Sequence, residues 1–218
     1  MRFLTGAVAL ATLASIAPAA ALAQESFEGT VTFEARGERG EASGFEYSMK
    51  GKRVRFEPQD PQTPMYMVMD LEAEVMRMVM TGQNMYMEIP IPDAEGDNTA
   101  ASTNEPVKTN RTDEVAGRNC EIWTMTEGGK SFEMCVARDL GTFMQGAGPM
   151  ARKATPAWQR ELRKGGFFPL RVVEKSNGGD KTVLVATKIE QGKLDDSVFG
   201  VPVGAKKMAM PPGMGRRP

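Results

Sequence analysis

From Phe27 onward, large apolar residues recur at every second position, the period of a strand with one covered face. Phe27, Val31, Phe33 and Ala35 alternate with Glu28, Thr30, Thr32 and Glu34; after a polar run from Arg36 to Glu41, Phe45, Tyr47 and Met49 resume against Glu46, Ser48 and Lys50. Val54 and Phe56 follow among Arg53, Arg55 and Glu57, and Pro58 and Pro61 end that run. Three more runs, Met65 to Met69, Val75 to Met80 and Met85 to Ile89, are separated by turns at Leu71 to Glu74 and Thr81 to Asn84. Cys120 to Thr126 and Ser131 to Ala137 are joined by Glu127-Gly128-Gly129-Lys130, and Phe168 to Lys175 and Lys181 to Glu190 by Asn177-Gly178-Gly179. Glycine pairs of this kind mark hairpins. The pattern predicts roughly ten strands in an antiparallel meander.

Helix signals are few. Asp139 is a candidate cap for a segment reaching Gly146, with Leu140, Phe143 and Met144 at helical spacing. A second segment opens with Thr155 as cap and Pro156 at the first position, carries Trp158 and Leu162 on one face, and ends at Gly165-Gly166. Roughly ten strands and two short helices around one core predict an α+β domain. Between the two halves, Asp93 to Pro106 has no large apolar residue and reads as a mobile loop.

The first 23 residues read as a secretory signal. Arg2 supplies the positive end, Leu4 to Ile16 are mostly apolar, and Ala21-Leu22-Ala23 is a small-x-small cleavage site. The apolar stretch falls short of the roughly 20 residues a membrane helix needs, so a membrane-spanning chain is not expected. The resulting map is a signal peptide over 1–23, a single domain over 24–205, and a flexible Met/Pro/Gly-rich tail over 206–218. A periplasmic or secreted location is expected. In an oxidising compartment, Cys120 and Cys135 are read as one disulfide. A two-residue loop at Glu127-Gly128 would place them directly opposite each other, and a loop at Gly128-Gly129 would offset them by one diagonal step.

Charge and composition narrow the chemistry. The 27 basic and 28 acidic residues give a net charge of −1, which offers no field for a phosphate backbone, so nucleic-acid binding is not expected. Histidine is absent, which removes the commonest general base and zinc ligand. No catalytic residue is assigned and the chain is expected to be non-enzymatic. Asp195-Asp196 is read as a helix cap or solvated turn.

The segments from Val115 to Trp123 and from Phe132 to Gly141 resemble the core motif of bacterial exported proteins of the domain of unknown function 4412 family. Gly166-Phe167-Phe168-Pro169-Leu170-Arg171 and the ending from Leu194 to Ala205 also look like that family. The resemblance implies a lipoprotein-carrier-like (LolA-like) shape, a curved antiparallel half-barrel over helices, and it implies no reaction.

The chain holds 17 methionines against 10 phenylalanines, 3 tyrosines and 2 tryptophans, and this excess needs an account. Met65, Met67 and Met69 share one strand face, as do Met76, Met78 and Met80, with Met85 and Met87 on a third strand. The main expectation is a cleft for a hydrophobic small molecule or lipid lined by these eight residues, since flexible thioethers accommodate varied shapes. A second is a structural or interaction module of the cell envelope, with an envelope protein as partner, in which methionine only fills the core. A third is Cu(I) held by soft thioethers, for which Met208, Met210 and Met214 are the candidate ligands. No other cofactor is expected.

Overall fold

The computed structural model describes residues 27–37, 39–62, 64–91, 106–127, 129–141, 143 and 167–209. Among them, twelve strands form one sheet: β1 (Gly29–Arg36), β2 (Ala42–Lys50), β3 (Arg53–Pro58), β4 (Met65–Asp70), β5 (Val75–Met80), β6 (Met85–Pro90), β7 (Val107–Val115), β8 (Arg118–Glu127), β9 (Lys130–Ala137), β10 (Phe168–Lys175), β11 (Lys181–Gln191) and β12 (Lys206–Lys207). Their spatial order is β12-β6-β5-β4-β3-β2-β1-β11-β10-β9-β8-β7. Two meanders, β1 to β6 and β7 to β11, therefore meet where β1 pairs with β11. Every ladder is antiparallel except the short parallel one between β12 and β6.

This architecture corrects the α+β half-barrel with two short helices that the sequence predicts. The described residues build an open, mixed sheet with β7 and β12 at its edges. Their helical turns are the 3-10 segments Thr81–Gln83 and Asp196–Phe199. At the first expected helix, Leu140 and Phe143 have helical spacing but are both buried in the sheet's core, and Gly141 lies between them at φ +80, a conformation that stops a helix. The second, Thr155 to Gly166, lies outside the described residues, as do most of the expected loop at 93–106 and the signal segment.

The alternating residues of β1, β2 and β3 put Val31, Phe33, Phe45, Tyr47, Met49 and Val54 on the inner face of the sheet, in one apolar core. Phe33 is its centre: its ring stacks on Phe45 at 5.0 Å and meets Phe143 and Phe168 at 5.7 and 5.9 Å. The β8–β9 hairpin pairs Glu127 with Lys130, which sets Cys135 opposite Ile122. Cys120 is then one diagonal step away with its Cα 5.3 Å from that of Cys135, and the disulfide forms. Of the two registers left open by the sequence, the offset one is realised.

A second, smaller apolar cluster lies on the other face of β4 and β5, where Tyr66, Val68 and Val79 are covered by Phe199. The covering segment, Leu194 to Met208, is a strap that crosses β2 to β6 in turn. Lys50 donates to the carbonyl of Leu194, Arg55 to that of Val198 and Tyr66 to that of Gly200, while the amide of Lys206 donates to the carbonyl of Asn84. Asp195 caps the 3-10 turn by accepting from the Ser197 amide, as expected of that acidic pair. Its neighbour Asp196 lies 2.8 Å from Lys50 and 2.6 Å from Arg53, and these two cations hold its carboxyl down at about 2. The chain stays on the sheet through Met208.

Candidate functional site

β4, β5 and β6 are consecutive strands joined by short turns, so their register decides where each methionine stands. Met65 pairs with Met80, Met67 with Met78, and Met69 with Met76; on the other side of β5, Met80 pairs with Met85, Met78 with Met87, and Met76 with Ile89. Side chains of directly opposed residues share a face. The result is an array of three rows and three strands: Met69–Met76–Ile89, Met67–Met78–Met87 and Met65–Met80–Met85. All eight methionines singled out by alternation are brought together. Phe56 and Val54 of β3 extend two of these rows, since Phe56 opposes Met67 and Val54 opposes Met69.

Burial falls across the array. Met69, Met76 and Ile89 are 3, 4 and 5% exposed and belong to the main core, whereas the six methionines of the other two rows are half-buried. Met67 and Met87 pack against the core from its margin. The array is thus packing at one end and an accessible thioether surface at the other. The alternate residues Tyr66, Val68 and Val79 face the strap, so the two faces of β4 and β5 have separate roles.

The strap contributes a rim that alternation did not reveal. Lys206 pairs with Met85 and Lys207 with Tyr86, and Lys207 binds Glu88, which also accepts from Arg77 at 3.0 Å. These two cations hold the Glu88 carboxyl below its ordinary value, with Lys207 the stronger influence. Lys207 therefore faces the strap side, and Lys206 by alternation stands on the methionine face beside Met85. Met208 is half-buried, with its amide donating to the carbonyl of Tyr86 at 2.7 Å. Met210 and Met214, the other tail candidates for metal, lie outside the described residues. On the strap side, the Arg55 guanidinium sits 3.6 Å from the Tyr66 ring centre and pairs with Glu57 at 2.5 Å. Burial pushes the Tyr66 phenol up against the opposing influence of Arg55.

Among the described residues no group of three or more His, Cys, Asp or Glu could hold a metal ion, and no helix is long and apolar enough to cross a membrane. The chemistry concentrated on the inner face of β4 to β6 is that of thioethers.

Residues 27–205 match the family described as Domain of unknown function (DUF4412). The chain belongs to this family. Among solved structures, an uncharacterized conserved protein from Thermus thermophilus is similar over 85% of this chain and 91% of its own, at 12% identity and a TM-score of 0.50. That likeness bears on the fold of the DUF4412 chain alone. A structure of PNGF-II in a C2 space group aligns with 84% of this chain and 31% of its own, at 14% identity and a TM-score of 0.47. No curated protein matches the chain.

Proposed function

We propose that this DUF4412 chain is a non-enzymatic, periplasmic or secreted protein that binds a hydrophobic ligand or lipid on its methionine face. The lipoprotein-carrier-like (LolA-like) shape that the family resemblance implies is part of the same reading. The observation that carries it is the burial gradient: six half-buried methionines in two adjacent rows, continuous with two that are fully buried. A packed core has no reason to continue its unbranched, adaptable side chains into partly exposed rows, whereas a surface that must follow an acyl chain of variable shape does. Lys206 beside Met85 supports an amphiphile with an anionic head, its chain along the thioethers and its carboxylate at the rim.

Glutamine keeps the length of methionine and adds an amide. At Met78 that amide can reach water in the empty protein, so Met78→Gln is expected to hold a near-wild-type denaturation midpoint and to weaken uptake of a fluorescent fatty acid. At Met69, in the buried row, the same change loses water without gaining a partner and is expected to cost about 1–3 kcal/mol. Strong destabilisation by Met78→Gln, together with a wild type that takes up no lipophilic probe, would replace this reading with that of an envelope interaction module whose methionines are only core.

A further inference from the structure

The methionines among the described residues divide by access. Met49, Met69, Met76, Met125 and Met134 are at most 5% exposed and sit in the main core. The half-buried ones are Met65, Met67, Met78, Met80, Met85 and Met87, with Met208 beside them at the end of β12. Among the described residues, then, all the accessible thioethers lie on or beside one face of β4, β5 and β6. The other groups that two-electron oxidants attack are closed there: Cys120 and Cys135 are bonded to each other, no described cysteine is free, and Trp123 is 5% exposed. Leucine would make the face equally apolar, so what methionine adds beyond flexibility is the sulfur lone pair.

We propose that this face is an oxidation site, at which an oxidant of the hydrogen peroxide class converts the six half-buried methionines to sulfoxides and turns an apolar surface polar. The sulfur lone pair attacks one peroxide oxygen; the O–O bond breaks, an S–O bond forms, and the departing hydroxide takes the proton of the transferred oxygen and leaves as water. Sulfur gives up two electrons and the peroxide accepts them, so each thioether consumes one peroxide. Because the six are cross-strand neighbours in two rows, the new oxygens make one continuous polar patch. A sulfoxide oxygen is a strong acceptor, and an apolar occupant would strip its water without replacing it. Met69 and Met76 stay reduced in the core beneath, so the fold outlasts the change at its surface. Release of a bound apolar chain is the consequence, and this consequence rests on the hydrophobic-ligand reading above. Sulfoxide reduction reverses it.

The test treats the full chain with graded hydrogen peroxide and follows oxygen addition at each methionine by peptide mass spectrometry. Met65, Met67, Met78, Met80, Met85 and Met87 are expected to gain oxygen at least about tenfold faster than the five core methionines. The oxidised protein should bind a fluorescent fatty acid at least about tenfold more weakly with an unchanged far-UV circular dichroism spectrum, and methionine sulfoxide reductases for both epimers should restore binding. A variant with leucine at all six positions should bind the probe before peroxide and keep binding it afterwards. If that variant does not fold, Met78→Leu with Met80→Leu, which clears β5 of accessible thioethers, should lose less affinity on oxidation than the wild type. Equal oxidation rates in the two groups of methionines would overturn the site, as would a fully oxidised face with the probe affinity of the untreated protein. A wild type that binds no probe before treatment would remove the ligand reading and the release that rests on it, and the oxidation rates alone would then decide the site.

Discussion

Phe33→Ala is expected to lower stability by about 3–5 kcal/mol, the usual cost of deleting a buried aromatic side chain. The residue is 1% exposed, and its ring touches those of Phe45, Phe143 and Phe168, so the vacated space is bounded by rings that cannot collapse into it without breaking their own contacts. Phe45 is further committed to Phe56 at 4.8 Å, and Tyr47 stacks on Phe143 at 5.4 Å. The loss therefore falls on the junction between the two meanders, where β1 joins β2 on one side and β11 on the other. Urea denaturation would show a lower midpoint, with a thermal midpoint down by roughly 10 °C for a domain of this size. A shift within the scatter of surface substitutions would mean that Phe33 is not the centre of the core.

Replacing both cysteines, Cys120→Ala with Cys135→Ala, should cost about 3 kcal/mol, the chain-entropy value for a loop of this length. The bridge spans a sequence separation of 15 and links two strands that the β8–β9 ladder already holds together. Its contribution is therefore to the unfolded chain, whose freedom it restricts, more than to the geometry of the sheet. Far-UV circular dichroism of the double variant should match the wild type while the denaturation midpoint falls. Reductant should lower the wild-type midpoint to the same value. An unchanged midpoint would show that the ladder alone closes this loop at no entropic cost.

The residues that were legible in sequence are those in which one face is wet and one is dry. β1 to β6 and β8 to β11 all follow from apolar residues at every second position, and the register of the eight methionines follows from the short turns between β4, β5 and β6. β7 was not legible. Its sequence, Val107-Lys108-Thr109-Asn110-Arg111-Thr112-Asp113-Glu114-Val115, buries only Val115, because an edge strand with both faces largely wet leaves no hydrophobic period. β12 was missed for a different reason: two lysines carry no strand signal, and backbone pairing with β6 places them. Leu140 and Phe143 show the converse failure. Their spacing suits a helix, yet burial against the sheet and the positive φ of Gly141 decide otherwise.

The strap was half legible. Asp195 and Asp196 were readable as a cap and a solvated turn, but nothing in Leu194, Val198, Phe199 and Val201 says that they close the second face of β3 to β6. That depends on Arg55, Tyr66 and Lys50 lying across the sheet from them, more than 130 residues away in sequence. A long separation in sequence likewise hid Lys206 and Met208 as neighbours of the methionine rows. Alternation finds the residues of one face, and only the tertiary path of the chain finds what crosses or borders it.

If the accessible methionine rows seat an apolar chain, a diazirine-bearing fatty acid photocrosslinked to the protein will mark them, and peptide mapping will locate the adducts. The expected adducts fall on β4, β5 and β6 at Met65, Met67, Met78, Met80, Met85 and Met87, with competition by unlabelled fatty acid. Labelling spread without preference over the surface, or concentrated on the strap side at Tyr66, Val79 and Phe199, would contradict it.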